Sequence, residues 1–193
     1  VQTLRIWVGP THSEKSTRAM RAARRLERHM PVGLIRPVRS IRSYERPGFL
    51  VTKGGEAFPS NDVHSAHKIW PIAQRFKAVW IDEPGLFDDE PFLFECVQEM
   101  RRYWPVLVSG LSATSELGVF GTSMSKMVSV ADEVEWCRAD CDGCGLLSSA
   151  TRSFFKPGRK EQEVVVGGEE SYSALCPPCW TADTARVRAL AGV

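Results

Sequence analysis

A chain of 193 residues with a net charge of +2, 43% hydrophobic and 25% charged side chains has room for one α/β domain and a small appendage. The near-neutral charge argues against a general nucleic-acid binder, and no apolar run reaches the roughly 18 residues of a membrane span. No charged-then-apolar leader precedes the first apolar run, and four of the six cysteines stand in two C-x-x-C pairs, which favours metal over disulfides in a cytoplasmic setting.

Residues 4–8 read as a buried strand running into Gly9-Pro10-Thr11-His12-Ser13-Glu14-Lys15-Ser16-Thr17. The spacing is that of a phosphate-binding loop, G-x-x-x-x-G-K-[ST]. Loop amides and the positive end of the next helix surround a phosphate, Lys15 bridges the outer phosphates, and the Ser16 hydroxyl ligates Mg²⁺. Glu14 occupies the second glycine position. A carboxylate there adds bulk, and at about 4 Å in an effective dielectric near 20 each unit of like charge costs roughly 4 kcal/mol unless the side chain turns to solvent.

Ala19, Met20, Ala22, Ala23, Leu26 and Met30 then recur at helical spacing up to Pro31, and the intervening arginines read as a solvated basic face. Residues 32–37 read as a second strand, which completes a βαβ unit and implies a parallel sheet. Residues 38–62 read as a mobile, basic connection near the phosphate loop. Residues 62–76 read as a helix with Asp62 as N-cap and Pro71 a kink or break; His64 and His67 on it lack a third ligand and read as solvated.

Residues 77–83 form an apolar strand that ends in Asp82-Glu83, at the carboxyl edge where parallel sheets bind ligands. After a phosphate loop, the first acid suits Mg²⁺ and the second suits a general base for a substrate hydroxyl. Residues 90–103 read as a helix packed on the sheet, with Cys96 in the core, and residues 105–110 as a strand. A loop follows through Phe120-Gly121, and the segment 126–137 reads as a strand around residues 134–136, five strands in all. Cys141-Asp142-Gly143-Cys144 and Cys176-Pro177-Pro178-Cys179 offer four thiolates from two tight turns, the donor set of a closed, structural Zn²⁺ site. Between them residues 163–168 read as a strand entering a glycine turn, an excursion tied to the metal at both ends and able to close over a ligand.

In that order, and over most of the chain, these features resemble the type II thymidine kinases. Gly9-Pro10, Ser13 and Lys15-Ser16-Thr17 look like the family's G-P-M-x-S-G-K-S/T, and Ile81-Asp82-Glu83 with Phe87 looks like its I-D-E-x-Q-F-F. Phe120-Gly121 is similar to a pair the family sets beside the base. Gly167-Gly168, Tyr172, Cys176 and Cys179 are similar to its G-G-x-x-x-Y-x-x-x-C-x-x-C. The resemblance implies an α/β fold of the P-loop NTPase kind, a parallel sheet flanked by helices over residues 1–137, and a small zinc-binding lasso domain over residues 138–193. It implies ATP- and Mg²⁺-dependent phosphorylation of the 5′-hydroxyl of thymidine or a related or modified pyrimidine deoxynucleoside. Glu83 would be the general base, Asp82 and Ser16 would serve Mg²⁺, and Gly9, Ser13, Lys15, Ser16, Thr17 and Arg42 would hold the nucleotide. Thr11, Leu86, Phe87, Phe120, Val165, Gly167, Gly168 and Tyr172 would enclose the nucleoside, and Cys141, Cys144, Cys176 and Cys179 would hold zinc in a subunit of a homotetramer.

Several departures from the family pattern cluster around that site. Besides Glu14, Thr11 replaces a methionine, and Pro84-Gly85-Leu86 replaces glycine-glutamine-phenylalanine. Val51-Thr52-Lys53-Gly54 lacks a His-Asp, and Leu111-Ser112-Ala113-Thr114 lacks an acid. They keep an alternative open: a catalytically impaired relative that binds a nucleotide, nucleoside or partner without phosphoryl transfer.

Overall fold

A computed structural model of the chain describes residues 1–42, 44–114, 120–156 and 171–191. One sheet is built from β1 (Leu4–Gly9), β2 (Val32–Pro37), β3 (Phe49–Val51), β4 (Ala57–Val63), β5 (Ala78–Asp82), β6 (Val106–Leu111) and β7 (Glu133–Trp136), in the order β3-β4-β2-β5-β6-β1-β7. Every neighbouring pair is parallel except β3 with β4. The helices are α1 (Lys15–Glu27), α2 (Ile69–Ala73), α3 (Leu93–Met100), α4 (Thr122–Val130) and α5 (Pro177–Ala191). A two-stranded antiparallel ribbon, β8 (Arg152–Phe155) with β9 (Tyr172–Leu175), stands beside the Cys pairs. This is the mostly parallel, P-loop-like α/β fold that the sequence predicts. No helix among the described residues is long and apolar enough to cross a membrane.

Strand periodicity divides the core. Leu4, Ile6 and Val8 of β1, Val79 and Ile81 of β5, and Val106 and Val108 of β6 point to one face, where they meet α2, α3 and α4. Trp7, Trp80 and Leu107, one residue out of phase, point to the other and meet Ala19, Met20 and Ala23 of α1. Both faces of the sheet are thus covered, as buried parallel strands require. A third, smaller cluster of Ala139, Cys141, Ala150, Ala174, Leu175 and Cys176 lies under the ribbon.

Three expectations change. Among the described residues the sheet has seven strands rather than five, because residues 49–51 and 57–63 form β3 and β4. The Ser60-Asn61-Asp62 run looks like a turn, yet Asn61 donates to the Leu34 carbonyl (3.0 Å) and Asp62 accepts from the Arg36 guanidinium (2.9 Å). Asp62 therefore caps no helix. The helix expected over residues 62–76 shrinks to a 3₁₀ turn, Ala66–Lys68, that runs into α2, and its cap is Ser65, whose side chain accepts from the His67 amide. Pro71 lies in the first turn of α2, where its missing N–H has no intrahelical acceptor to lose. Residues 122–130, expected as loop and strand, form α4, and only residues 133–136 beyond it are strand. The excursion at residues 163–168 lies outside the described residues.

Candidate active site

The phosphate loop leaves β1 at Gly9, where a Cβ would sit 2.4 Å from the Cys137 carbonyl oxygen and 2.8 Å from Ser13 Oγ. Only glycine lets the strand end and the loop close this tightly. Ser13 Oγ donates to the Pro10 carbonyl (2.8 Å), and so does Lys15 Nζ (2.8 Å). Glu14, the residue before α1, takes φ 59°, ψ 21°, the left-handed conformation for which the motif uses glycine. An L-residue there costs roughly 1–2 kcal/mol. Its side chain is exposed, and its charge acts on Arg18. The carboxylate thus turns outward, and the cost that remains is backbone strain. Thr17 is half-buried one residue past Ser16 on α1.

Asp82 ends β5 with 4% exposure. Its Oδ1 accepts from Ser16 Oγ at 2.8 Å and from Ser109 Oγ, and Ser109 accepts in turn from the Trp80 indole at 2.8 Å. Glu83 follows in a left-handed conformation, φ 49°, and its amide donates to the Ser109 carbonyl at 2.7 Å. Glu83 Oε2 is buried and has no hydrogen-bond partner. A strained backbone and an orphaned carboxylate oxygen on one residue are the sort of feature that marks working sites.

The electrostatics are those of a desolvated cluster of mixed charge. Burial pushes the Asp82 carboxyl up against the opposing pull of Ser109, Ser16, Arg42 and Lys15. Burial also raises Glu83, with Lys15 and Arg42 opposing and Asp82 adding. Burial lowers the Lys15 ammonium while both carboxylates hold it up. Arg42 overcomes its own burial through the Tyr44 hydroxyl, Glu83 and Asp82, so its guanidinium stays charged. Lys15, Ser16, Arg42, Asp82 and Glu83, drawn from three separate stretches of sequence, therefore share one site. The hard oxygens of Ser16 and Asp82 are a donor pair that suits Mg²⁺, which keeps several waters and takes few protein ligands.

Residues expected around a nucleoside have varied surroundings. Phe120 is half-buried, and a Cβ at Gly85 would lie 2.6 Å from its ring. Leu86 is buried in the turn after Glu83, and Phe87 is buried in the core face shared with α3. Tyr172 is half-buried on β9 with its ring edge-on to Phe155 at 5.4 Å, and burial raises its phenol. Val165, Gly167 and Gly168 lie outside the described residues. The Thr11 amide donates to Ser153 Oγ of β8 at 2.9 Å, and His12 Nδ1 lies 4.0 Å from Asp142. The cysteine region thus touches the phosphate loop. Sequence reading missed both Ser153 and Ser109: each is a lone serine in an apolar strand, and its partner lies far away in the chain.

Cys141, Cys144, Cys176 and Cys179 place their sulfurs within 4.8 Å of one another. Cys144 and Cys176 sulfurs are 3.8 Å apart, and a tetrahedron of ~2.3 Å Zn–S bonds sets its sulfurs about 3.8 Å apart. The Cys141 thiol falls to about 6 although burial opposes it, because the amides of Cys176, Cys144 and Gly143 donate to its sulfur. Cys179 is pushed up to about 12, first by the neighbouring Cys176. Crowded thiols that hold one another's protons are what a soft dication relieves, so the donor set is compatible with structural zinc.

The sequence model of the thymidine kinase family, described as "Thymidine kinase", matches residues 2–180. A thymidine kinase of Coprothermobacter proteolyticus is 31% identical over 132 residues, 66% of this chain and 65% of the relative, so that match spans just under two thirds of the relative's length. One from Porphyromonas gingivalis is 27% identical over 180 residues, 92% of this chain and 84% of the relative. One from Mycoplasma genitalium is 24% identical over 183 residues, with 91% and 83% covered.

Proposed function

The chain belongs to the thymidine kinase family, and from that premise we propose that it transfers the γ-phosphoryl group of ATP to the 5′-hydroxyl of thymidine or a related pyrimidine deoxynucleoside. The observation that carries the reading is the cluster of buried Lys15 and Asp82 with half-buried Ser16 and Glu83, in which Glu83 Oε2 is itself buried and uncommitted. Glu83 takes the proton from the acceptor hydroxyl as the new O–P bond forms; burial, which raises its pKa, makes it the stronger base. Lys15 and Arg42 carry the positive charge that meets the phosphates, and the loop from Gly9 through Ser13 to Thr17 wraps them. Ser16 and Asp82 would hold Mg²⁺, which supplies charge neutralisation on the phosphate oxygens.

We assign the nucleoside pocket to Thr11, Leu86, Phe87, Phe120, Val165, Gly167, Gly168 and Tyr172. We divide the chain into a kinase-like domain, residues 1–137, and a zinc-stapled lasso, residues 138–193. The separate apolar cluster under the ribbon supports that division. A homotetramer in the cytoplasm completes the reading.

The test is ADP release with Mg²⁺ and a panel of deoxynucleosides. Turnover should require a nucleoside and fall by about 10²–10⁴-fold in Glu83→Gln. A wild type as inert as that variant across the panel overturns the kinase reading. A second reading, binding without transfer, is favoured by one observation: the strained Glu14 in the loop. Calorimetric titration separates the two, since nucleoside binding without measurable ATP–Mg²⁺ binding would select the second.

A further inference from the structure

Arg42 reaches the acidic centre from a segment with no apolar anchor of its own. Among the described residues from 41 to 49 no apolar residue is buried, so apolar packing does not fix where this stretch lies. Its polar contacts converge instead on one fully enclosed guanidinium. Arg36, near the end of β2, has 1% side-chain exposure and spends each of its nitrogens on a different partner. Nε donates to Asp62 Oδ1 at 2.9 Å, Nη1 to Glu45 Oε2 at 2.7 Å, and Nη2 to the Phe49 carbonyl at 2.8 Å.

Glu45, 3% exposed, passes the anchorage on. Its Oε2 also accepts the Arg42 amide at 3.0 Å, and its Oε1 accepts the Val51 amide at 3.2 Å. Asp62 clamps the other arm of the stretch, with the Gly48 amide on Oδ2 at 2.7 Å and the Ser60 hydroxyl on Oδ1 at 2.6 Å. The Arg42 side chain is steadied at its far end by the Tyr44 hydroxyl, 2.6 Å from Nη1. A buried ion pair gains little stability over apolar groups of the same shape, and what it can supply is geometry. The guanidinium offers donors from three separate nitrogens held in one rigid plane, where a lysine would offer its three from a single nitrogen on a flexible stem.

We propose that Arg36 and Glu45 are positioning residues: through the Arg42 amide they hold the Arg42 guanidinium beside Asp82 and Glu83, where it meets nucleotide phosphate. The proposal rests on the reading of this site as a nucleotide phosphate site. Glu45→Gln is nearly isosteric, but it keeps a single acceptor oxygen, so its NH2 must face donors on one side, either Arg36 with the Arg42 amide or the Val51 amide.

The experiment is a double-mutant cycle on ATP–Mg²⁺ affinity by calorimetry, with wild type, Glu45→Gln, Arg42→Ala and the double variant. Arg42→Ala should weaken binding about tenfold, the worth of one charge-assisted hydrogen bond. Glu45→Gln should lose a comparable factor, and the double variant should bind no worse than Arg42→Ala alone. Losses that multiply, or a silent Glu45→Gln beside a weakened Arg42→Ala, overturn the positioning role while leaving the site reading intact. An Arg42→Ala that binds as wild type overturns Arg42 as a phosphate group and this proposal with it. Hydrogen exchange without ligand gives a second readout: Glu45→Gln should speed exchange at the Arg42 and Val51 amides, and unchanged protection there overturns the proposal even in a protein that binds no ATP.

Discussion

Glu14 shows how a single side chain can break a motif's rule and leave its geometry in place. The loop still adopts the left-handed turn, at φ 59°, with the carboxylate aimed outward. Glu14→Gly should therefore stabilise the protein by up to about 1 kcal/mol, read by urea denaturation. It should change ATP affinity by less than about tenfold, because the charge it removes does not face the phosphates; a larger gain would mean that the carboxylate turns inward. Gly9 is the opposite case. Gly9→Ala drives a methyl to 2.4 Å from the Cys137 carbonyl oxygen, a backbone atom that cannot swing aside, and should cost about 1–3 kcal/mol in denaturation together with loss of ATP binding. Lys15, Ser16, Asp82 and Glu83 were legible in the sequence because their chemistry is written in short, fixed spacings. Ser109 and Ser153 were not, since a hydroxyl in a strand declares nothing until the fold supplies its partner.

Elements stabilised from a distance are the ones that local pattern hides. The turn-like Ser60-Asn61-Asp62 run becomes strand because Arg36 and Leu34 bond its side chains, and α4 forms over a serine-rich stretch because Glu90 caps it from outside. Glu90 Oε1 accepts the Ser123 amide at 2.5 Å, and Oε2 accepts the Thr122 amide at 3.1 Å. Glu90→Ala should thus lose about 1–3 kcal/mol, seen as a lower urea midpoint at unchanged slope. Asp62 makes a pH-dependent prediction. Burial pushes its carboxyl up, but Ser60, the Gly48 amide and Arg36 together hold it below its ordinary value. A depressed folded pKa gives stability that is present above the unfolded value of about 4 and is lost as pH falls through the folded one. The stability gap between wild type and Asp62→Asn should therefore narrow as pH drops from about 6 to 3; a constant gap would remove Asp62 from the acid limb.

At the scale of the molecule, the cysteine cluster and the sheet meet at the phosphate loop. Protein purified without chelator should carry one zinc per chain, measured by elemental analysis, and stripping the metal should weaken ATP binding through Thr11 and Ser153. Metal loss that leaves affinity unchanged would make the contact incidental. The contact has a consequence in time as well as in space. Residues 11 and 153 are 142 positions apart, and β1 lies between β6 and β7, neither of which exists until the chain has passed residue 106. As a ribosome delivers this chain, the strand that carries the phosphate loop emerges well before either of its sheet neighbours and must wait for both. A nascent chain halted short of Ser153 would carry the phosphate-loop motif in full and the proposed site around it unfinished.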